Sequence, residues 1–310
     1  LGFLREMAGQ SINGEDETDG KLSTLDLSDT KIVGGGEPYF NYGGYETYFT
    51  EYNKIGKYAF CSCNNLKRLT LPKDITSIEQ SAFFGCSGLT SITIPSSVTA
   101  IGKWSFYDCS SLTSIELPNS TTTIDEAAFQ NCTSLASVTL TSNLTSIESH
   151  AFIGCSQLKD VRYNVLDDLA TYIQTDHPEI VIGNNCNCDF KYYQNNQEIT
   201  SLKIPAGITS IGKNVFQKYN GIQSLTFSPA LTSISDLQFS CDFSNLKSVS
   251  VGWQDPIAAG NFFKGADMSN CTLYVPHGTT NAYANSDIWC GFGKIIEYNN
   301  QATITLEQPG

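Results

Sequence analysis

The chain has 310 residues, enough for one large domain or two ordinary ones. Apolar residues make up 40% of it and charged residues 16%, against about 25% charged in ordinary globular domains. With 18 basic and 31 acidic residues the net charge is −13, and a polyanion of this sign repels nucleic acid and anionic lipid. No apolar run reaches the length of about 18 residues that a membrane-spanning helix needs.

A repeat of 23 residues is the strongest signal in the chain. Its columns are Cys63, Cys86, Cys109, Cys132 and Cys155; Ile55, Ile78, Ile101, Ile124 and Ile147; Phe60, Phe83, Phe106, Phe129 and Phe152; and Leu66, Leu89, Leu112, Leu135 and Leu158. The unit reads I-x-x-x-A/S-F-x-x-C-x-x-L-x-x-I-x-I-P. A fixed period of about 20 to 29 residues with L-x-x-L-x-L spacing is the signature of leucine-rich repeats.

The last apolar positions of each unit predict a short strand. Ile92 and Ile94 are two residues apart, so they point to the same side. A strand of this kind buries its apolar face when the next coil stacks beside it, and the stacking builds a parallel sheet. The Phe column is expected to fill the interior from the opposite wall. The Cys column is expected to be buried and to donate its S–H groups toward turn carbonyls, because a metal site would need ligands that converge on one point.

The chain resembles the BspA-type leucine-rich-repeat proteins, which are common on the surfaces of gut and oral bacteria such as Bacteroides. The resemblance covers nearly the whole chain. It rests on the units Ile78–Pro95 and Ile101–Pro118, on an opening Phe3–Gly9 followed by Leu25–Asp29, and on a closing Thr272–Gly278 with Tyr283 and Trp289. It implies surface display and, for some members, attachment to host matrix proteins or to other cells.

The predicted fold is an α/β-type solenoid: a right-handed leucine-rich-repeat coil with one parallel β-sheet and 23-residue repeats, interrupted mid-chain by a helix and a hairpin. The predicted segments are a cap, first rung and Gly/Tyr-rich loop (1–52), a first repeat block (53–163), the interruption (164–198), a second repeat block with a C-terminal cap (199–296) and a tail (297–310). The first rung is expected at Leu22, Leu25 and Leu27, and the last at Leu273 and Val275, covered by Trp289, Phe292 and Ile295.

The interruption is predicted from a change of period. Leu166, Leu169, Ala170 and Ile173 have the i, i+3, i+4, i+7 spacing of a three-turn amphipathic helix. Asp167 and Asp168 are expected in its first turn, where the helix dipole favours acids, and His177 near its end, where the dipole favours a cation. A hairpin is predicted from residues 190–193 and 198–204, with Asn195 and Asn196 at its turn.

A binding surface is predicted on the outer side of the strands, because residues that flank an inward position point outward. We call the first-block set the strand face; it consists of Arg68, Thr70, Ser91, Thr93, Ser114, Glu116, Ser137, Thr139, Asp160 and Arg162. Ser201, Lys203, Ser224, Thr226, Ser248 and Ser250 continue this pattern in the second block. The alternative is that Ser and Thr merely suit an exposed pleat.

A second candidate surface is the Tyr-rich segment, residues 34–52. It is read as an elaborated loop because of its Gly content. Its aromatic residues are Tyr39, Phe40, Tyr42, Tyr45, Tyr48, Phe49 and Tyr52, of which Tyr42, Tyr45 and Tyr48 are the candidate binding residues. Such a cluster is either an interaction site or a cap over the first coil.

Metal and catalytic motifs are weak. His150, His177 and His277 have no metal or triad spacing, and His150 shares a unit position with Ser81, Trp104 and Ala127, which predicts exposure. A poor calcium-loop match comprises Glu15, Glu17, Asp19, Gly20 and Asp26, and is read as a solvated acidic loop. Cys186 and Cys188 are read as packed or bridged thiols rather than zinc ligands. A disulfide between Cys271 and Cys290 is a hypothesis for the closing cap.

The function expected from the family and the surface is non-enzymatic. It is a secreted or bacterial cell-surface scaffold that binds a host or cell-surface protein, from the extracellular matrix for example, or a glycan. The alternatives are a structural spacer and, less favoured, a glycan-active protein, because no acid pair suited to glycoside hydrolysis is placed by the pattern. The sequence predicts no catalytic residue, cofactor, metal ion, nucleic-acid partner or membrane span.

Overall fold

A computed structural model describes residues 4, 8, 20–42, 46–181, 188–234, 237 and 239–298. The chain divides into two compact units. The first unit contains Leu1–Leu166 and His177–Phe190, and the second contains Asp167–Asp176 and Lys191–Gly310. The architecture is a parallel-sheet β-solenoid with repeats of about 23 residues, few helices and about ten turns in all.

The first unit is built from short strands. In chain order they are β1 (Thr24–Asp26), β2 (Gly35–Tyr42), β3 (Glu46–Thr50), β4 (Lys54–Ile55), β5 (Arg68–Thr70), β6 (Ser77–Ile78), β7 (Ser91–Thr93), β8 (Ala100–Ile101), β9 (Ser114–Glu116), β10 (Thr123–Ile124), β11 (Ser137–Thr141), β12 (Ser146–Ile147) and β13 (Asp160–Asn164).

The main sheet of this unit contains the predicted strands. β1, β5 and β7 pair in parallel, as do β9, β11 and β13. The pairing shifts by one whole repeat, so that Leu69 lies opposite Ile92, and Val138 lies opposite both Ile115 and Val161. Each of these central side chains is buried. The sheet therefore buries one apolar row shared between successive coils, as the spacing predicts.

The isoleucine column forms a second parallel sheet, in the order β12-β10-β8-β6-β4. Its strands are two residues long, and Ile55, Ile78, Ile101 and Ile124 are at most 1% exposed. The threonines before these strands donate their hydroxyls to carbonyls of the preceding coil at 3.1–3.2 Å: Thr76, Thr99, Thr122 and Thr145. This ladder of side-chain hydrogen bonds fixes adjacent coils in register along the edge of the second sheet.

Stacked phenylalanines fill the interior of the first unit. Successive rings of the column Phe60, Phe83, Phe106, Phe129 and Phe152 lie 5.1–5.4 Å apart with interplanar angles of 3–14°. All five side chains are fully buried. Offset aromatic pairs contribute about 0.5–1.5 kcal/mol each beyond the burial of their area. The Phe column is thus the central support of the stack, as expected.

The turn before each Phe uses a left-handed residue. Tyr58, Ser81, Trp104, Ala127 and His150 have φ between 54° and 64°. The backbone N–H of the first four donates to a carbonyl of the next coil at 2.9–3.1 Å. A left-handed non-glycine residue costs on the order of 1–2 kcal/mol, which these inter-coil hydrogen bonds offset. The position repeats a backbone geometry rather than a side chain, which explains its varied residues and the exposure of His150.

The Tyr-rich segment differs from the expected elaborated loop. β2 and β3 pair antiparallel, with Phe40 opposite Tyr48. The register is irregular between Gly35 and Phe40, and both Gly35 and Gly36 have positive φ. These glycines obscured the strand pattern in the sequence, because glycine weakens strand propensity while it supplies the irregularity.

The elements of the second unit are α1 (Leu169–Gln174), β14 (Asp189–Gln194, whose first two residues belong to the first unit), β15 (Gln197–Glu198), β16 (Ser201–Lys203), β17 (Ser224–Thr226), β18 (Ser248–Ser250), a 3₁₀ turn (Met268–Asn270), β19 (Thr272–Pro276), α2 (Thr280–Ala284), a second 3₁₀ turn (Trp289–Gly291) and β20 (Lys294–Tyr298). β16 to β20 form one parallel sheet in chain order. The predicted 24-residue step is confirmed, since Ser224 lies opposite Ser248.

The mid-chain helix is shorter than predicted. Asp168 has an extended backbone and accepts hydrogen bonds from the N–H groups of Ala170 and Thr171 at 3.0 and 3.1 Å. It is the N-cap, so the helix begins at Leu169, and placing Asp167 and Asp168 in the first turn was wrong. A side-chain cap of this kind fixes where a helix starts. The predicted hairpin is confirmed: β14 and β15 pair antiparallel across Asn195 and Asn196.

The end of the second unit contains one rung more than predicted. β20 pairs in parallel with β19 and places Ile295 opposite Leu273, so Leu273 and Val275 do not form the last rung. The step from Leu273 to Ile295 is 22 residues, outside the repeat period, which hid this strand. The predicted cap residues Trp289 and Phe292 are 1% and 5% exposed. The indole N–H of Trp289 donates to the Ile257 carbonyl at 2.8 Å.

One core position predicts a stabilising substitution. Ser105 is fully buried and its hydroxyl has no hydrogen-bond partner, whereas the same unit position holds Ala59, Ala82, Ala128 and Ala151. A buried unsatisfied hydroxyl costs about 1–3 kcal/mol. We expect Ser105→Ala to raise the free energy of unfolding by about 1 kcal/mol in urea denaturation followed by circular dichroism. The reverse change, Ala128→Ser, is the matched control and should lower it; a destabilised Ser105→Ala protein would contradict the argument.

Candidate binding surface

The strand face lies on the outer side of the main sheet in the first unit. Eight of its ten side chains are exposed and the other two, Ser137 and Thr139, are half-buried. Pairing across β5 and β7 sets Arg68 beside Ser91, and pairing across β9, β11 and β13 sets Ser137 between Ser114 and Asp160. The face therefore presents hydroxyl groups in rows whose spacing the sheet fixes.

Charged side chains lie at both ends of this face. Arg68 projects from β5, and Asp160 and Arg162 project from β13, with Glu116 on β9 between them. All four are exposed. A partner that covers the face would meet a hydroxyl-rich centre bordered by both signs of charge, an arrangement that favours specificity and orientation over raw affinity.

The inner half of the Tyr-rich segment covers the first coil. Tyr39 and Phe40 are each 2% exposed, and the Tyr39 hydroxyl donates to the Lys57 carbonyl at 2.7 Å. The rings of Phe40, Tyr48 and Tyr58 pack with centroids 5.3–6.2 Å apart. These contacts favour the cap interpretation for Tyr39, Phe40 and Tyr48. The side chain of Tyr42 and the whole of Tyr45 lie outside the described residues.

The outer half of the same segment leaves apolar groups in solvent. Phe49 is 49% exposed and Tyr52 is 70% exposed. Val33, which the sequence reasoning did not select, is 61% exposed. Val33 and Phe49 alternate with inward-facing neighbours, a signal that becomes readable once the segment is known to be a hairpin rather than a loop.

The histidines lie in three different environments. His150 is exposed, as predicted. His177 is not the helix-end cation that was expected: the helix ends at Gln174, and His177 is 6% exposed with its ring edge-on to Tyr163 at 6.3 Å. His277 is exposed and lies 3.0 Å from a Glu297 carboxylate oxygen. Hydrogen bonds from Gly278 and Thr280, and then the nearby His277, lower the pKa of Glu297 to about 2.

The cysteine column behaves as predicted for buried thiols. Cys86, Cys109, Cys132 and Cys155 donate to the carbonyls of Phe60, Phe83, Phe106 and Phe129, at 2.8–3.2 Å. Burial raises the pKa of Cys109 and Cys132 well above the usual value and that of Cys155 to about 12. Each thiol therefore stays protonated at neutral pH and serves as a hydrogen-bond donor inside the stack.

The other cysteines correct one hypothesis and extend another. Cys271 and Cys290 are both free thiols, so the disulfide proposed for the closing cap is wrong. Cys271 is buried and donates instead to the Leu246 carbonyl at 2.8 Å. Cys188 is disulfide-bonded, in line with the bridged alternative, while Cys186 lies outside the described residues.

The calcium-loop match is mostly outside the described residues, since Glu15, Glu17 and Asp19 are not among them. Asp26 lies in β1 and its carboxylate accepts the Ser28 N–H at 2.9 Å. Across the described part of the chain, no group of three or more His, Cys, Asp or Glu residues is placed to hold a metal ion. Within the same residues, no helix has the length and apolar character needed to cross a membrane.

A groove in the second unit was not selected from the sequence. It has a volume of about 840 Å³ and lies at the carboxyl ends of β16, β17 and β18. Lys203, Thr226 and Ser250 line it from the strands, and Tyr298 lines it from β20. The outward strand positions were predicted, but the groove was missed because Tyr298 comes from a rung that the repeat period does not reveal.

Stacked 23-residue coils with one apolar row, a Phe column and a parallel sheet define a leucine-rich-repeat solenoid. A family model described as the BspA type leucine rich repeat region matches in six copies, over residues 53–176 and 180–286. The chain belongs to this family. No curated protein matches the chain.

Solved structures with similar folds come from several bacteria. A leucine-rich-repeat protein of T. pallidum is 29% identical over 49% of this chain and 64% of its own, with a TM-score of 0.38; this chain thus spans just under two thirds of that one. A leucine-rich-repeat protein of Bacteroides ovatus is 18% identical, with 89% and 82% covered and a TM-score of 0.35. A leucine-rich cell surface protein of Faecalibacterium prausnitzii is 19% identical, with 92% and 90% covered and a TM-score of 0.28.

The thiol column predicts a pH dependence of stability. The pKa of Cys109 and Cys132 is raised by burial in the folded chain, so unfolding releases protons once the pH exceeds about 9, the ordinary thiol value. Stability from each thiol is complete below that pH and falls by about 1.4 kcal/mol per pH unit above it. We expect the urea midpoint to fall between about pH 9 and pH 10.5, and to fall less steeply in a Cys109→Ala, Cys132→Ala double variant. Equal slopes for the two proteins would contradict this.

Proposed function

We propose that this protein is a non-enzymatic scaffold displayed outside a bacterial cell, and that it binds a host or cell-surface protein through the strand face. Family membership supports surface display, because BspA-type proteins are bacterial cell-surface leucine-rich proteins. Leucine-rich-repeat scaffolds are generally non-enzymatic. The acidic chain, with a net charge of −13, agrees with a partner that is neither nucleic acid nor an anionic membrane.

The observation that carries the proposal is the exposure of a whole row set on a rigid sheet. The inward residue of each strand is buried, while its two neighbours point to solvent or are half-buried. Because the backbone is fixed by pairing on both sides, binding would cost little chain ordering. Solenoids use such extended faces to bind partners.

The charged residues of the face are the expected anchors. Arginine is enriched at the centres of binding energy in interfaces, whereas Ser and Thr are under-represented there. Arg68 and Arg162 are therefore expected to contribute most, with Glu116 selecting against partners of the wrong charge. The many hydroxyls would supply shape and hydrogen bonding across the centre.

A structural spacer is the alternative function. It would use the same rigid coils to hold another module away from the cell, and it would show no saturable binding to matrix or mucus components. The exposed charges at both ends of the face favour a binding role, because a spacer needs no placed arginine.

The experiment compares three proteins in pull-downs from host matrix and mucus. An Arg68→Ala, Glu116→Ala, Arg162→Ala variant should lose at least about 90% of the captured partner, because buried charge contacts contribute about 1.5–3 kcal/mol each. A Lys31→Ala, Lys57→Ala, Glu148→Ala variant is the matched control. It removes the same charges from exposed positions outside the face, and it should bind as the unchanged protein does.

A third variant tests the rival surface. Phe49→Ser with Tyr52→Ser alters the exposed half of the Tyr-rich segment and leaves the buried cap residues Tyr39 and Phe40 in place. Loss of the partner in this variant, with retention in the strand-face variant, would transfer the binding site to the hairpin. No saturable capture by the unchanged protein would favour the spacer, and turnover of a glycan panel would overturn the non-enzymatic proposal.

A further inference from the structure

The groove in the second unit arises where one column of residues becomes small. Strand register places Pro205, Ser228, Gly252, Pro276 and Tyr298 side by side, one per rung, just beyond the outward row of the sheet. The first unit holds Pro72, Pro95 and Pro118 at the same unit position. Ser228 and Gly252 therefore leave a depression between larger neighbours, and its volume of about 840 Å³ is in the range of ligand sites.

The walls of the groove are held in place by internal contacts. The Tyr298 hydroxyl donates to the Val251 carbonyl at 2.6 Å, which fixes the ring at one end. A side chain at Gly252 would meet the Pro229 ring at 2.9–3.2 Å, so glycine is what lets that ring approach. Ile204 and Phe227 form a buried apolar floor. A preformed groove of this kind loses little entropy when a ligand enters.

The polar groups of the groove are one cation and several hydroxyls. Of the described residues that line it, Lys203 alone is charged, and Thr226, Ser228 and Ser250 contribute hydroxyls. None of the outward strand positions beside it, on β16 to β20, carries a carboxylate: Ser201, Lys203, Ser224, Thr226, Ser248, Ser250, Thr272, Tyr274, Lys294, Ile296 and Tyr298. In a chain of net charge −13, this face is a local region without negative charge.

We propose that the groove binds an acidic sugar residue of a glycan. The apolar C–H face of a pyranose ring would pack on the fixed Tyr298 ring, since tyrosine offers a flat apolar body. The sugar hydroxyls would pair with Thr226 and Ser250, and the carboxylate or sulfate of the sugar would accept from the Lys203 ammonium.

A peptide fits these observations less well. Backbone groups at the groove already pair with one another: the Ile204 N–H donates to Thr226 at 2.8 Å, and the Phe227 N–H donates to Ser250 at 2.9 Å. An extended peptide that binds by strand addition needs an open sheet edge, and β17 and β18 are interior strands. The remaining polar partners are side-chain hydroxyls, which complement sugars.

This site is independent of the proposed function, because the strand face lies in the first unit and the groove in the second. Failure of the protein partner would not remove the groove, and failure of sugar binding would leave the strand-face experiment unaffected.

The test measures binding by titration calorimetry with four probes on the full chain. They are an unsulfated chondroitin tetrasaccharide, the same tetrasaccharide carrying sulfate, neutral chitotetraose and a tetra-glutamate peptide. We expect saturable binding of one or both acidic sugars, at least about tenfold weaker binding of the neutral one and none of the peptide. The first two probes distinguish a carboxylate from a sulfate as the recognised acid.

The variants assign the binding to the groove. Lys203→Gln should weaken binding of the acidic sugar at least about tenfold, the effect of a lost charge-assisted hydrogen bond, and Thr226→Val should weaken it severalfold. Lys213→Gln is the matched control, because Lys213 is exposed in the same unit and does not line the groove; it should bind as the unchanged chain does. Circular dichroism confirms that each variant is folded.

Several outcomes would overturn the proposal. These are no saturable binding of either acidic sugar at millimolar concentration, equal affinity for chitotetraose, or Lys203→Gln binding as tightly as Lys213→Gln. Binding of tetra-glutamate with the same dependence on Lys203 would make the groove an acidic-peptide site and would likewise refute the assignment to sugar.

Discussion

A coil of 23 residues cannot bury its own apolar face, and the rest of the structure follows from that constraint. Each coil has one sheet row, one Phe and one Cys directed inward, and their neighbours are the same residues of the next coil. Phe106, for example, has Phe83 at 5.1 Å on one side and Phe129 at 5.2 Å on the other. Stability is therefore shared between adjacent coils rather than held within any one of them, and the ends need caps.

The sequence predicted the parts of the fold that repetition specifies. The sheet strands, the buried Phe and Cys columns and the thiol-to-carbonyl hydrogen bonds all follow from period and alternation, so a mistake at one unit would have been corrected by the other four. The second sheet was not predicted because its strands are two residues long, too short for alternation to be visible. The column of Ile55 and its equivalents recorded the burial without revealing the pairing.

What the sequence could not supply lies where the repeat stops. β20 follows β19 at a 22-residue step, β2 and β3 are interrupted by glycines with positive φ, and α1 begins where the Asp168 side chain caps it. In each case a single local contact outweighs the periodic pattern. The same limit applies to the candidate sites: the strand face repeats and was predicted in full, whereas Val33 and the Tyr298 groove depend on elements outside the period.

The repeat also separates what sequence change can alter from what it cannot. Inward positions are fixed by their neighbours on both sides, so a change in one coil disturbs two others. Outward positions and the column just beyond the strands meet few such demands, and they vary from Pro205 to Ser228 to Gly252 without disturbing the register. A recess can therefore form simply by making two successive residues of that column small, while the buried rows beneath remain intact. Binding specificity in this architecture is accordingly expected to arise from the residues that interrupt a column, rather than from those that maintain it.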